Sequence, residues 1–152
     1  MAFVACSGAS PGSGDTVDFV GGFSASFPLP PVWHHAARGT TVDAHAVKDR
    51  HALQYTITYD LLPTDMSRRE GVRVVEVTRD ELVRGAKSPV VAESAISLGD
   101  VPGHEVVFTL RNGDTAVTHI YATTTHVYEV TATGPDTTAV TAFLDSFRLI
   151  DK

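Results

Sequence analysis

The chain has 152 residues, of which 43% are hydrophobic and 20% are charged, and its formal net charge is −6. This length predicts a single domain, and the composition is that of an ordinary globular protein. The negative charge argues against nucleic acid as a partner, because phosphate binding needs a basic face. No stretch of the sequence approaches the roughly 20 apolar residues that span a bilayer.

Residues 1–16 are predicted to be a flexible tail in front of a domain of residues 17–152. Every residue from Ser7 to Gly14 is Ser, Gly, Ala or Pro, a composition that favours a disordered coil. Cys6, the single cysteine, follows small residues in a pattern that resembles the end of a bacterial lipoprotein signal peptide. We therefore expect a lipid on Cys6, provided that translation starts upstream of Met1, because the charged and apolar signal regions are missing. The alternative is a tail with an unmodified cysteine.

Alternating apolar and polar residues predict three strands in the first half of the domain, at Phe23–Phe27, Thr40–Val47 and Leu53–Leu61. Prolines end the first of these segments, because a proline has no backbone N–H to donate to a sheet. The proline-rich segment that follows is predicted to be a loop, and it contains Trp33, His34 and His35.

The stretch Ser67–Ala86 fits either a helix or a strand. Ser67 and Glu70 have the spacing of a capping box, which favours a helix. Val72, Val74 and Val77 are β-branched and would suit a strand equally well. We predict a helix over much of this stretch.

Four strand patterns and one helix pattern follow. Asn112-Gly113 predicts a tight hairpin turn, and Asp136 is placed to cap the last helix. The strand patterns lie at Val90–Leu98, Glu105–Arg111, Thr115–Thr123 and Val127–Thr133. The predicted fold class is α+β, with a central antiparallel sheet of about six or seven strands flanked by helices.

The order of several short motifs resembles that of bacterial proteins with the PsbP-like fold. This fold is shared by the P subunit of the photosystem II oxygen-evolving complex and by a Ran-binding nuclear import factor. The resemblance covers about residues 22–150 and implies a sheet with flanking helices, a non-enzymatic role in binding or assembly, and no catalytic residues. The motifs are Phe23–Pro28, Tyr55–Tyr59, Gly99–Glu105, Tyr121, Tyr128–Gly134 and Phe143–Leu149.

The seven histidines raise the alternative of a metal-binding domain. His45 and His51 lie close together in the sequence with Asp43, and a hairpin would let them face each other. A zinc site needs three or four ligands in fixed geometry, and no helical His spacing or cysteine partner supports one here. We therefore assign no metal ligands and no cofactor.

The segment with Trp33, His34 and His35 is the candidate partner-binding loop, because exposed aromatic residues are common at binding surfaces. The alternative is that the loop covers an edge of the core. The expected protein is a monomeric, non-enzymatic binding domain. We expect it outside the cytoplasmic membrane, anchored only through lipid, and its expected partner is a protein or a small envelope ligand. A cytoplasmic accessory or assembly protein without an anchor is the alternative, and an enzyme would require a pocket with converging titratable groups.

Overall fold

A computed structural model describes residues 15–18, 21–36, 39–62 and 68–150. These described residues form ten strands and two helices, which confirms the predicted α+β class. The strands are β1 (Asp15–Asp18), β2 (Phe23–Ser26), β3 (Val32–His35), β4 (Gly39–Lys48), β5 (His51–Leu61), β6 (Val90–Leu98), β7 (Val101–Thr109), β8 (Thr115–Ala122), β9 (His126–Gly134) and β10 (Arg148–Leu149). The helices are α1 (Arg68–Gly85) and α2 (Thr137–Ser146).

Seven strands form one antiparallel sheet in the order β3-β4-β5-β9-β8-β7-β6. Its hairpins need little connecting chain, and Asp49 and Arg50 both have positive φ in the two-residue turn between β4 and β5. The remaining strands form a small sheet in the order β1-β2-β10. The two sheets meet at Phe23, whose ring lies 5.9 Å from that of Tyr59 and 6.2 Å from that of Tyr128.

The large sheet has two faces, because successive side chains of a strand point to opposite sides. We call the side that carries Val42, Ile57 and Val130 the α2 face, since these residues are buried in one core cluster with α2 and the small sheet. The other side, which carries Val106 and Ile120, is the α1 face, and α1 packs there on β7 and β8.

Helix α2 begins at a side-chain N-cap and buries one apolar stripe. The Asp136 carboxylate accepts hydrogen bonds from the backbone N–H groups of Thr138 and Ala139, which confirms its predicted role. Val140, Phe143 and Leu144 recur at helical spacing and are buried. The helix therefore sits over β9 and β8 of the sheet and leaves the outer strands of this face open.

Helix α1 confirms the predicted helix in the valine-rich stretch. Val75 is buried against the sheet, whereas Val72 and Val77 are 42% and 48% exposed, so the stretch has a helical and not an alternating burial pattern. Arg79 also ties the helix to β6, since its Nε and Nη2 atoms lie 2.5 and 2.6 Å from the two carboxylate oxygens of Glu93. These hydrogen bonds lower the pKa of Glu93 to about 2. Neither described helix is long and apolar enough to cross a membrane.

Three short strands were missed in the sequence. Trp33, His34 and His35 belong to β3, which pairs with β4, so the prediction of a loop for them was wrong. Strand β1 begins at Asp15, inside the segment assigned to the tail, and no strand was predicted at β10. Unlike the equally short β2, these three strands show no alternation of apolar and polar residues, and their positions follow from pairing with other strands.

Candidate functional site

An open groove runs along the α2 face of the described structure. Helix α2 covers β8 and β9 but not β6 and β7, so a channel remains between the helix and the outer strands. The channel consists of two adjoining cavities of about 270 and 500 Å³ that share His119, Leu144 and Asp145. We call this channel the α2 groove.

Three polar side chains form a hydrogen-bonded relay in the α2 groove. The Nε2 atom of His119 lies 2.7 Å from Oε2 of Glu105, and its Nδ1 atom lies 3.2 Å from the hydroxyl of Tyr121. The imidazole thus has both ring nitrogens engaged, and its side chain is only 12% exposed. The Glu105 side chain is 33% exposed and faces the groove.

The register of β7 and β8 creates this relay. Glu105 and His119 are direct cross-strand partners, and Tyr121 lies two residues further along β8 on the same face. The Tyr121 ring packs edge-on to the His119 ring at a centroid distance of 6.0 Å, and it stacks on Phe147 at 5.7 Å and 5°. Strand pairing and aromatic packing therefore fix the position of the imidazole.

The chemistry of the three groups defines the proton positions. An ionised carboxylate only accepts hydrogen bonds, so Nε2 of a neutral His119 carries the proton that is donated to Glu105. Nδ1 is then an acceptor, and the Tyr121 hydroxyl donates to it. In the neutral form of His119, the hydrogen bonds of this relay run from Tyr121 through His119 to Glu105, and they correspond to a single tautomer of the imidazole.

Burial raises the pKa of Tyr121 to about 12, with smaller contributions from the negative charges of Asp145 and Glu105. The phenol is therefore neutral at physiological pH. With Tyr121 protonated and both nitrogens of His119 occupied, the relay holds Glu105 in place. The arrangement suits ligand binding by a positioned carboxylate.

The contact between Glu105 and His119 depends on the length of the turn between β7 and β8, and no pairing register was predicted for these strands. A two-residue turn at Asn112-Gly113 would pair Arg111 with Asp114 and would place Glu105 opposite Ile120. The observed turn has three central residues, since Leu110 pairs with Asp114 and Gly113 has a φ of +87°. A shift of one residue reverses the face of every side chain, so only the longer turn brings Glu105 to His119. A glycine at the third turn position was the available signal.

The predicted partner-binding residues do not form one surface. Trp33 lies on the α2 face, where it is partly buried against the core cluster and stacks on His35 at 6.3 Å. His34 points to the opposite face and is exposed. The ring nitrogen Nδ1 of His35 contacts the hydroxyl of Thr40 at 3.1 Å. The role of these residues in partner binding stays a prediction.

The histidines proposed as a metal cluster lie apart. Asp43 and His45 share a face, as predicted, with 3.4 Å between Oδ2 and Nδ1. His51, however, pairs with Lys48 on the other face and contacts the Asp114 carboxylate at 2.9 Å, so the expectation that it faces His45 was wrong. Within the described residues, no group of three or more His, Cys, Asp and Glu side chains is arranged to hold a metal ion. Cys6 lies outside the described residues.

Comparison of the chain with protein-family models and with curated proteins gives no match. The resemblance to the PsbP-like fold therefore rests on the sequence motifs and stays a prediction. What is observed is an α+β domain in which a seven-stranded sheet, a three-stranded sheet and two helices create the α2 groove.

Proposed function

We propose that this protein is a non-enzymatic binding domain and that its ligand occupies the α2 groove. The observation that carries the proposal is the relay of Tyr121, His119 and Glu105, whose hydrogen bonds hold the Glu105 carboxylate at the groove surface. A carboxylate fixed in advance binds a ligand without the entropy cost of ordering a flexible side chain. The motifs that resemble PsbP-like proteins support the same non-enzymatic class.

The lining of the α2 groove indicates the chemistry of the ligand. Glu105 and Asp145 supply carboxylate oxygens, which accept hydrogen bonds and attract positive charge. Ile96 and Leu98 line the larger cavity and supply apolar contact. The ligand that fits is a small molecule or a protruding side chain with an amine or hydroxyl group at one end and an apolar part at the other.

We also propose that the domain works outside the cytoplasmic membrane, anchored by a lipid on Cys6. This part of the proposal is supported by the position of Cys6 after small residues and before a Ser/Gly tether. A diacylglyceryl group on the Cys6 thiol carries two acyl chains, which together hold a domain at a membrane without any spanning segment. The rival proposal is a cytoplasmic accessory protein with an unmodified Cys6.

A fragment titration tests the binding proposal. The ¹⁵N-labelled protein is titrated with a library of small aliphatic amines and polyols, and amide shifts are followed by NMR. We expect the shifts to concentrate at His119, Leu144 and Asp145, which the two cavities share. Thr141→Trp fills the groove from the helix side and should abolish these shifts.

Ala142→Trp is the matched control, because it places the same side chain at an exposed neighbouring position of α2. It should leave fragment binding unchanged. Shifts spread over other surfaces, or equal effects of the two tryptophan variants, would contradict the assignment of the groove.

Intact-mass analysis tests the proposed location of the protein in the cell. The protein is expressed from its native locus with the upstream codons, and its mass and membrane fraction are determined. A mature species that starts at Cys6 with a lipid-sized mass increment is the expected result, and Cys6→Ser should release it from the membrane. A soluble species that starts at Met1 or Ala2 would support the cytoplasmic alternative.

A further inference from the structure

The two edges of the large sheet differ in how they are protected. Strand β3 has four residues and follows Pro30 and Pro31, and short strands and prolines both discourage pairing with another chain. Strand β6 has nine residues, and no described strand pairs with its outer side. Its unpaired backbone groups therefore form a template for a further strand.

The side chains of β6 do not protect this edge. The strand contains no proline, lysine or arginine, and Glu93 is its single charged residue. The Glu93 carboxylate is already bound by Arg79 and by Nε2 of His104, which lies 3.0 Å from it. A register shift near Val91 disturbs only the start of the strand, so Ala92–Leu98 pairs regularly with β7.

The hairpin geometry identifies which backbone groups face outward. Leu98 and Val101 close a two-residue turn, so this pair is hydrogen-bonded. In antiparallel pairing the direction of the backbone groups alternates along the strand, so Ile96 and Ser94 also bond to β7. The N–H and C=O groups of Glu93, Ala95 and Ser97 consequently point away from the sheet.

We propose that β6 pairs antiparallel with β6 of a second copy of this chain, about a two-fold axis at Ala95. Ala95 then exchanges two hydrogen bonds with the partner's Ala95, and Glu93 lies opposite the partner's Ser97. On the α2 face, Ala92 meets the partner's Leu98 and Ser94 meets the partner's Ile96. This register avoids any contact between two glutamates, and the small Ala95 side chains leave room at the axis.

The second copy is favoured as the occupant because the strand is self-complementary in this register. Each copy carries a net charge of −6, so the two domains repel at long range. Salt screens this repulsion but leaves the backbone hydrogen bonds of the edge in place. The association should therefore strengthen as ionic strength rises. The resulting sheet would continue across both copies and lengthen the floor of both α2 grooves, because Ile96 and Leu98 line them.

Sedimentation equilibrium of the protein tests the dimer. We expect a monomer–dimer equilibrium with a dissociation constant of about 1–100 µM, as is typical of a small interface. Ala95→Pro removes only an outward-facing N–H group, a change that edge strands tolerate. It should weaken dimerisation about tenfold or more with little change in melting temperature, since both symmetry-related hydrogen bonds are lost.

Thiol crosslinking provides a second readout that does not depend on a proline. In a Cys6→Ser background, Ala95→Cys places two thiols on the axis with Cα atoms about 5.5 Å apart, within reach of a short bifunctional thiol reagent. The reagent should give a covalent dimer, whereas Thr138→Cys on the exposed side of α2 should not give one. A protein that stays monomeric at about 1 mM, or equal crosslinking of the two variants, would overturn the proposal.

Discussion

At the level of single residues, Tyr121 connects the core to the α2 groove. Its ring stacks on Phe147, and its hydroxyl is hydrogen-bonded to Nδ1 of His119. Because this phenol is buried, its pKa is raised to about 12. The same residue therefore stabilises the domain and orients the group that binds Glu105.

Tyr121→Phe should change the alkaline stability of the protein. In the wild type, the unfolded phenol ionises near its ordinary pKa of 10, while the folded phenol stays protonated up to about 12. The unfolded state thus holds fewer protons in this window, so the free energy of unfolding falls as pH rises, by about 2–3 kcal/mol from this group. The Tyr121→Phe variant has no phenol to ionise at this position, so its free energy of unfolding does not fall for this reason.

Urea unfolding at about pH 9 and about pH 11.5 measures the difference. At the lower pH the variant should be about 1 kcal/mol less stable, because the hydrogen bond to His119 is gone. At the higher pH the difference in unfolding free energy between the wild type and the variant should vanish or change sign. A gap of constant size would show that Tyr121 does not titrate as its burial requires.

Trp33→Ala should lower stability rather than affect binding alone. The Trp33 ring is partly buried against the core cluster and stacks on His35, so its truncation should cost about 2 kcal/mol of unfolding free energy. His34→Ala, the neighbouring exposed position, should change stability by less than about 0.5 kcal/mol. Thermal and urea unfolding of both variants provides the comparison. An unchanged melting temperature for Trp33→Ala would favour a pure binding role.

Among the elements, α2 defines one wall of the groove, so its stability controls the site. Asp136→Ala removes the side chain that accepts two backbone N–H groups at the helix start. The expected loss is about 1 kcal/mol, with faster hydrogen exchange in the first turn of α2. Asp136→Asn is the control, because its side-chain oxygen still caps the helix. Equal losses in both variants would mean that charge and not capping is responsible.

The long elements were predictable from the sequence because each carries its own period. Residues 53–61 alternate so strictly that β5 was recognised within two residues, and the valine-rich α1 was recognised from its capping box. Boundaries were less accurate, since β7 begins at Val101 and not at Glu105. Local patterns give the type of an element, and tertiary pairing decides where it ends.

The candidate site was not predictable to the same degree. Glu105 and His119 lie on two separately predicted strands, and their contact depends on the pairing register that the three-residue turn sets. The Trp33 segment was misassigned for a similar reason, because four residues become a strand only through pairing with β4. Pairing between two segments leaves no period within either segment to detect.

Considered as a whole molecule, the domain uses its two faces differently. The α1 face is closed over β7 and β8 by a helix that Arg79 ties to the edge strand. The α2 face carries the main core and leaves a groove beside its helix. This asymmetry is the reason why we propose the α2 face, which combines apolar side chains with a positioned carboxylate, as the binding side.

The central claim, that the α2 groove holds a ligand, is tested most directly by native mass spectrometry of protein isolated from its native host. The wild type and Ala142→Trp should retain a non-covalent small molecule, and Thr141→Trp should have lost it. Identical ligand content in the wild type and the Thr141→Trp variant, or no bound molecule in any of them, would contradict the account.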